Sequence, residues 1–317
     1  MFINNSPLVT TFTLCYHTKA RLVISAIDSI HKQTYKNFEH IIINDAPEDK
    51  IEWPKIKKHI IDKGYKSIII EHLKNQGISK NLNEIISISK GEYIGGCSDD
   101  LWEKSYLKKQ IDFFQKQNKD VAVIFSNLTI IDEFDLRTGE ISFKNQIDLL
   151  KTNANEQFLQ LLKENYIFAP SALCSIKVIS DIGSYSNDIY AEDYQIWFKL
   201  LLNNYKIAFN NIREVNYRIR QGALSNTYES SGKMAVDRCR LFHQTKSLTT
   251  TEQWEEVKPI YYKFIKKIIR HSDIDHKLKM ELTSYGMKDL NYLNIYLLGL
   301  IVFLKLYKLK LIEDRIG

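Results

Sequence analysis

Glycine and proline are scarce in this chain of 317 residues, with 12 and 5 copies. Flexible linkers are rich in these residues, so we expect compact structure through most of the chain. Cysteine is equally rare, and its four copies show no C-x-x-C spacing, which argues against a zinc ribbon or a dithiol redox motif. We expect four buried free thiols in a reducing compartment, at Cys15, Cys97, Cys174 and Cys239.

Long hydrophobic runs are also missing. The longest, Ile295–Leu304, contains Gly299 and is much shorter than the roughly 20 residues that span a bilayer. Met1–Pro7 lacks the basic segment and apolar run of a secretory signal. We therefore expect a cytoplasmic protein, and contact with the inner face of the membrane stays open.

The charge of the chain indicates which kinds of ligand it can bind. The net charge is +6 and the isoelectric point is about 8.8, which suits an anionic ligand such as a nucleotide, or an anionic membrane surface. No clustered basic and aromatic face stands out, so we expect no nucleic-acid partner.

The first half of the chain alternates short β-branched runs with helical patterns. The run Ile41–Ile43 is too apolar to face water on either side of a strand. Continuous apolar strands separated by helices predict an α/β fold whose mostly parallel central sheet is flanked by helices. We predict strands at Leu8–Cys15, Phe38–Asn44, Ser67–His72, Tyr93–Cys97, Val121–Ser126, Lys206–Asn210 and Val215–Arg220, and helices at Ala20–Lys32, Ser79–Lys90, Asn153–Lys163 and Ile189–Leu202. Gly91 is predicted to stop the helix at Ser79–Lys90.

Ligands of parallel sheets bind beyond the carboxyl ends of the strands. Four polar loops follow predicted strands, at Cys15–His17, Asn44–Pro47, Leu73–Gly77 and Ser98–Asp100. Asp99 and Asp100 together could hold a divalent cation through oxygen, although tandem carboxylates are commonly solvated turn residues. Asp45 is either a turn carboxylate or an acceptor for a base N–H, and Tyr16 either flanks a strand or stacks on the base.

A second acidic pair opens the last predicted helix of this region. Glu192 and Asp193 precede an apolar helix that Trp197 would anchor in the core. Acidic residues are favoured near a helix N-terminus, which accounts for the pair structurally. The functional alternative is a general base held by a rigid element.

Taken in order, these segments resemble a family 2 glycosyltransferase with the GT-A fold, over about residues 7 to 225. The similar blocks are Pro7–Thr11 with Tyr16-His17, Ala26–Ile30 with Gln33–Glu39, Ile41–Asp45, Asn75–Ile78, Lys90–Ile94, Ser98–Asp100 and Ala191–Tyr194.

The resemblance implies an inverting transfer of a sugar from a nucleotide-diphosphate donor, with a UDP-sugar as the first choice. The acceptor would be a hydroxyl of a glycan or lipid-linked acceptor in bacterial surface-polysaccharide synthesis. Asp193 would be the base, and Asp99 and Asp100 would hold Mg²⁺ or Mn²⁺, with Asp99 also in reach of the ribose. The remaining donor contacts would come from Leu14 backbone, Tyr16, Asp45, Asn75 and Lys80. Lys80 is equally well explained as a solvated helix lysine.

The chain departs from the family pattern at four places. Asn44 stands where an aspartate is usual, His17 where an asparagine is usual, and Ser98 begins the metal motif. A late strand that often ends in histidine reads Tyr217–Arg220. Arg218 or Arg220 would then meet the diphosphate, because guanidinium groups suit phosphate oxygens.

Two other functions stay open. A sugar-nucleotide pyrophosphorylase would need a Gly-rich loop after the first strand, and Leu14–Thr18 contains no glycine. A catalytically inactive homologue acting as a scaffold would not need Asp45, Asp100 and Asp193.

The composition changes near residue 228. We predict a catalytic domain at 1–228 and a helical region at 229–317. Within the latter, the apolar and lysine-rich stretch Asn291–Leu311 would pack on protein, form a homodimer contact, or lie on a membrane surface.

Overall fold

The computed structural model describes residues 6–143, 148–187, 189–220, 231–270 and 274. The chain separates into two compact units, Met1–Gln221 and Gly222–Gly317. The boundary predicted after residue 228 lies among residues 221–230, outside the described residues, and so does the stretch Asn291–Leu311.

The first unit is built as the alternation of strands and helices predicts. Its strands are β1 (Val9–Cys15), β2 (Phe38–Asn44), β3 (Ile68–Glu71), β4 (Tyr93–Gly96), β5 (Leu101–Trp102), β6 (Val121–Ile131), β7 (Arg137–Ile141), β8 (Leu173–Ser175) and β9 (Lys206–Arg218). Its helices are α1 (Ala20–His31), α2 (Glu52–Lys63), α3 (Ile78–Ile88), α4 (Tyr106–Phe114), α5 (Ala154–Lys163), α6 (Ile176–Asp181) and α7 (Glu192–Leu202).

All nine strands belong to one sheet with the order β3-β2-β1-β4-β8-β6-β9-β5, and β7 pairs with β6. The four strands β3, β2, β1 and β4 run parallel, as do β6 and β9. The short β8 joins these two groups and is antiparallel to both neighbours. The sheet is therefore mixed, and its parallel half carries the predicted α/β architecture.

The centre of the parallel half is dry. Ile41, Ile42 and Ile43 are all 0% exposed, and each such side chain contributes about 1.5–3 kcal/mol relative to an exposed one. Ile42 packs with Val23 and Ile27 of α1, in a cluster that also contains α2 residues. The strands β1, β2 and β3 also end side by side, because their last residues, Cys15, Asn44 and Glu71, are paired in register.

One prediction about a glycine is wrong. Gly91 was expected to end α3 as a helix-stop residue, but the helix is capped at Ser89 in an extended conformation. A Cβ at Gly91 would lie 2.5 Å from the backbone nitrogen of Thr10. Glycine is needed there because the chain passes close to β1, not because the helix ends with a left-handed residue.

The described part of the second unit is helical. Helix α8 spans Lys233–Thr245 and helix α9 spans Thr251–Arg270. Phe242 of α8 stacks on Tyr261 of α9 with ring centroids 5.9 Å apart. Among the described residues, no helix has the length and apolar character needed to cross a membrane.

Candidate active site at the strand ends

The four polar loops predicted to carry the site do lie at one edge of the sheet. The strands β1, β2 and β3 end at the same level, and the loop connections continue this register. The amide of Asp45 donates to the carbonyl of Cys15 over 2.9 Å, and the amide of His72 donates to the carbonyl of Asn44 over 3.0 Å. Side chains that follow these strands are thus held next to each other.

Asp99 and Asp100, here named the carboxylate pair, follow β4 and lie against the end of β9. The Asp99 Oδ2 atom accepts a hydrogen bond from Arg220 Nε over 2.6 Å. The Asp100 Oδ1 atom accepts one from the backbone amide of Arg218 over 2.8 Å. Two segments more than 100 residues apart therefore meet at this point, as the family resemblance requires.

The two arginines have different surroundings. The side chain of Arg218 is 0% exposed, and its guanidinium donates to the carbonyls of Asp99 and Asp132 and pairs with Asp135 over 2.5 Å. It is committed to protein partners and holds the β6–β7 turn against the carboxylate pair. Arg220 is 19% exposed and also reaches Thr18 Oγ1 over 3.4 Å. Arg220 is the better placed of the two to meet a diphosphate.

Asp100 has the chemistry expected of a cation ligand. Burial, with a smaller contribution from the neighbouring Asp99 charge, raises the pKa of Asp100 to about 7, although Arg218 and Arg220 oppose the shift. Its second oxygen, Oδ2, accepts no hydrogen bond from the described residues. A divalent cation would relieve the repulsion between the two carboxylates and use this oxygen.

The protein alone supplies few ligands for that cation. No group of three or more His, Cys, Asp or Glu side chains that could hold a metal occurs in the described ranges. A cation at Asp100 would complete its shell with oxygens of a bound diphosphate and water, which is how Mg²⁺ is commonly held in phosphate sites. The residues therefore fit a metal that arrives with the donor.

The carboxylate of Asp45, a candidate for base recognition, contacts the loop before α3 in this structure. Its Oδ1 accepts from the amide of Gln76 over 2.7 Å, and its Oδ2 accepts from the amide of Gly77 over 2.9 Å. Asn75 donates to Asp45 Oδ2 over 3.1 Å through its side-chain nitrogen. Both carboxylate oxygens are engaged, so in this structure Asp45 fixes the loop before α3.

His72, which no motif in the sequence singles out, completes this cluster. Its Nδ1 lies 2.9 Å from Asp45 Oδ1, and its Nε2 lies 2.8 Å from Glu84 Oε2. A ring between two carboxylates must donate through both nitrogens, which is possible only for the imidazolium. Burial alone would lower the pKa of His72, but the hydrogen bonds to Asp45 and Glu84 outweigh it and raise the pKa.

This arrangement predicts a pH-dependent stability. A histidine whose pKa is raised on folding stabilises the protein fully below its unfolded pKa of about 6.5, and the effect is lost as pH rises through the folded pKa. We expect His72→Gln to lower the free energy of unfolding by about 2 kcal/mol at pH 6 and by clearly less at pH 9. Urea titrations at both pH values measure this difference.

The control for His72 is His17, which contacts a single carboxylate, Glu48, over 2.8 Å and is 49% exposed. We expect His17→Gln to change stability by less than about 0.5 kcal/mol at either pH. A His72→Gln effect that is the same at pH 6 and pH 9 would show that the imidazolium is not the stabilising species.

The other predicted donor contacts lie around the same edge. The amide of Leu14 donates to Ser98 Oγ over 3.2 Å and is therefore engaged within the protein. Tyr16 is 45% exposed, and its ring meets His17 edge-on with centroids 4.5 Å apart. His17 has a φ of 47°, which turns the chain sharply after the strand. Lys80 is an exposed residue in the first turn of α3.

Asp193 lies on α7, apart from the strand-end loops in sequence. It is the second residue of that helix, is half-buried, and accepts from the amide of Tyr194 over 2.6 Å. Trp197 is 2% exposed and anchors the helix, as predicted. A carboxylate at a buried helix start is held in one orientation, which a general base needs.

The loop at 184–186 lies beside this helix start. Asn83 of α3 exchanges two hydrogen bonds with the backbone of Tyr185, at 2.8 and 3.0 Å, and Gln195 of α7 accepts from the amide of Ser186 over 3.0 Å. Burial raises the pKa of Tyr185 well above its ordinary value, and the charges of Cys174, Glu192 and Asp193 add to this. Asn83 and Tyr185 were not predicted, because only the fold brings α3 to this loop.

Comparison with known families decides the classification. Residues 12–183, more than half of the chain, match the model of Glycosyl transferase family 2. The chain belongs to this family. The match contains the strand-end loops and the carboxylate pair, while Asp193, Arg218 and Arg220 lie beyond it.

Among curated relatives, the Escherichia coli protein WfaP is 27% identical over 219 residues, covering 69% of this chain and 80% of WfaP. WfaP is named as a UDP-Glc:alpha-D-GlcNAc-diphosphoundecaprenol beta-1,3-glucosyltransferase. Longer relatives from Rickettsia felis and Rickettsia conorii are matched over about a third of their own length, 31% and 32%.

Two solved glycosyltransferases share the fold. Staphylococcus aureus TarS 1–349 in complex with UDP-GlcNAc aligns with a TM-score of 0.55 at 17% identity, covering 89% of this chain and 88% of that one. The mannosyltransferase PcManGT from Pyrobaculum calidifontis, in complex with GDP-Man and Mn²⁺, aligns with a TM-score of 0.55 at 12% identity, covering 91% and 82%. At these identities the likeness shows the GT-A-type fold alone.

Proposed function

We propose that this family 2 glycosyltransferase is an inverting enzyme that moves a sugar from a UDP-sugar to a hydroxyl of a glycan or lipid-linked acceptor. The observation that carries the proposal is the meeting of the carboxylate pair with Arg220 at the end of β4. This places two anionic groups and one cationic group where the ligands of a parallel sheet bind.

The donor's diphosphate would lie between Arg220 and Asp100. Arg220 would leave Asp99 for the phosphate oxygens, because a guanidinium can make two parallel hydrogen bonds to phosphate. Asp100, with Asp99 beside it, would hold Mg²⁺ or Mn²⁺. When bound, the metal would stabilise the negative charge that develops on the departing nucleoside diphosphate.

The nucleoside would lie over the ends of β1 and β2. Tyr16 offers a ring that is 45% exposed for the base, and the Leu14 carbonyl would accept a hydrogen bond from it. Asp45 and Asn75 would act indirectly, since they shape the loop at residues 75–77 that borders the base. Lys80 would contact the donor from the first turn of α3.

Asp193 would complete the chemistry. It would accept the proton of the incoming acceptor hydroxyl while that oxygen attacks the anomeric carbon from the side opposite the leaving diphosphate. One displacement inverts the anomeric configuration. The bond to the diphosphate oxygen breaks as the new glycosidic bond forms, and the electron pair leaves with the nucleotide.

The relatives support the choice of substrates. WfaP is named for a UDP-sugar donor and a lipid-diphosphate acceptor, and TarS was solved with UDP-GlcNAc. PcManGT was solved with GDP-Man, so guanosine donors are the main competitor. With a lipid-linked acceptor, the enzyme would act in bacterial surface-polysaccharide synthesis at the inner face of the membrane.

A thermal-shift panel tests the donor. UDP, GDP and their common sugar conjugates are added with and without Mn²⁺, and the melting temperature is measured. We expect a stabilisation of about 2–3 kcal/mol by UDP-sugars at 100 times their Kd, and only when Mn²⁺ is present. Stabilisation by GDP-sugars alone would show that the donor carries GDP and not UDP. Stabilisation without any donor hydrolysis or transfer would support a scaffold that has lost its activity.

A further inference from the structure

The segment before the carboxylate pair is fastened to β1 at successive residues. The Phe12 carbonyl accepts from the amide of Cys97 over 3.0 Å. The Thr13 hydroxyl donates to the carbonyl of Cys97 over 2.7 Å, and the Leu14 amide donates to Ser98 Oγ over 3.2 Å. The position of the carboxylate pair is thus set from β1 on one side and from β9 on the other.

The Thr13 contact differs from the other two because it depends on a hydroxyl whose proton can rotate. Thr13 has one proton to donate, and it goes to Cys97, so its oxygen must accept from His40 Nε2, which lies 3.2 Å away. His40 therefore carries its proton on Nε2, by the logic of the hydrogen-bond network. Thr13 is 0% exposed and His40 is 1% exposed, so water does not replace either partner.

The other nitrogen of His40 is also engaged. Its Nδ1 lies 3.2 Å from His31 Nε2 and 3.4 Å from Ser67 Oγ, and either can donate to it. Burial, together with the nearby His31, holds the pKa of His40 well below its ordinary value, so the ring is neutral and keeps one acceptor nitrogen. The hydrogen bonds then form a chain in one direction: His31 or Ser67 donates to His40, His40 donates to Thr13, and Thr13 donates to the carbonyl of Cys97.

We propose that His40 is a positioning residue for the carboxylate pair, and that it acts by orienting the Thr13 hydroxyl onto the Cys97 carbonyl. Without this bond a buried carbonyl two residues before Asp99 lacks its partner, and the segment shifts to find one. Small displacements of groups that hold the reacting atoms cost much activity. The activity readout rests on the function proposed above.

The chain offers a matched control for Thr13. Thr11 lies on the same strand, is also 0% exposed, and its hydroxyl donates to the carbonyl of Glu39 over 2.9 Å. Thr11→Val and Thr13→Val each remove one buried hydroxyl and keep the side-chain shape. They differ in that Thr13→Val removes the bond from His40 as well as the bond to Cys97, and only these bonds lead to the carboxylate pair.

The experiment compares Thr13→Val, Thr13→Ser and Thr11→Val in the full-length protein. We expect Thr13→Val to raise the KM for the donor about 10-fold, to leave the KM for the acceptor within about twofold, and to be rescued by Thr13→Ser. Thr11→Val should also lose thermal stability, although less than Thr13→Val because it removes one bond and not two, and should keep both KM values. Equal kinetic losses in the two valine variants, or an unchanged donor KM in Thr13→Val, would overturn the proposal.

Two further measurements extend the test, and the second does not depend on activity. The double variant His40→Leu with Thr13→Val should raise the KM for the donor no more than Thr13→Val alone, because the two residues act in series. Additive increases in the donor KM would contradict this. Hydrogen exchange of the peptide covering residues 97–102 should speed up in Thr13→Val and His40→Leu but not in Thr11→Val. If the wild-type protein processed no nucleotide sugar, the proposed function would fail, and the exchange result would still decide the positioning role.

Discussion

Replacing Asp193 by asparagine will lower sugar transfer by about 10²–10⁴-fold, the usual contribution of a general base. The change keeps the size of the side chain and its ability to accept from the Tyr194 amide, so α7 should keep its start. The asparagine cannot take a proton from the acceptor. Donor affinity should stay within about twofold, because a base acts only in the transition state.

The neighbouring Glu192 serves as the control for Asp193. Glu192→Gln removes a charge from the same helix turn and should leave most of the transfer activity. Rates are measured with a saturating donor, and donor affinity by calorimetry. Transfer at the wild-type rate in Asp193→Asn would remove Asp193 from the mechanism, and a comparable loss in Glu192→Gln would assign the base to Glu192.

Replacing Asp100 by asparagine will remove the dependence of donor binding on Mn²⁺ and weaken donor binding in the presence of Mn²⁺ by about 100-fold. A metal that holds a diphosphate contributes several kcal/mol of charge stabilisation, and the amide is a much poorer ligand than the carboxylate. Asparagine can still accept from the Arg218 amide, so the contact with β9 should remain. Calorimetry with UDP, with and without Mn²⁺, measures the effect.

Asp99→Asn distinguishes the two members of the carboxylate pair. It weakens the ion pair with Arg220 and should cost less than Asp100→Asn, because Asp99 then competes less with the diphosphate for the Arg220 guanidinium. Circular dichroism confirms that each variant is folded. An Asp100→Asn protein that binds UDP with the same affinity and the same Mn²⁺ dependence as wild type would exclude Asp100 as a metal ligand.

Much of the parallel half of the sheet follows from the pattern of the sequence. The strand predicted at Phe38–Asn44 has these bounds in the structure, because Ile41–Ile43 can be buried on both sides only in a central strand. The loops that carry Asp45 and the carboxylate pair were placed at the right edge for the same reason. Strand ends in a parallel sheet share one edge whatever the loops contain.

The strand β9 shows what the pattern could not predict. Two short strands were expected around Asn211–Glu214, but a single strand spans Lys206–Arg218. The polar residues between the two predicted strands suggest a loop, but in the structure they contact partners far away in the sequence. Asn127 donates to Asn211 over 3.0 Å, and Arg213 pairs with Glu140 over 3.0 Å. Partners more than 70 residues away cannot be read from local periodicity.

The contacts of individual site residues could also not be predicted from the sequence. Asp45 at a strand end fits base recognition and loop fixation equally well until its partners at residues 75–77 are known. Arg218 and Arg220 look equivalent in the sequence, but β9 ends at Arg218, whose side chain is fully buried, whereas Arg220 follows the strand and stays partly exposed. Both distinctions depend on contacts between segments far apart in the chain.

The continuity of β9 limits how this protein can move. Directly after Asp100, β5 pairs with β9 through Leu101–Asn216 and Trp102–Val215, two residues before Arg218. This ladder ties the segment that follows the carboxylate pair to β9, and so links the end of β4 to the other half of the sheet at a second point besides β8. Rotation of one half against the other would break it. The proposed donor would therefore enter and leave through rearrangement of the surface loops, while the sheet beneath them stays rigid.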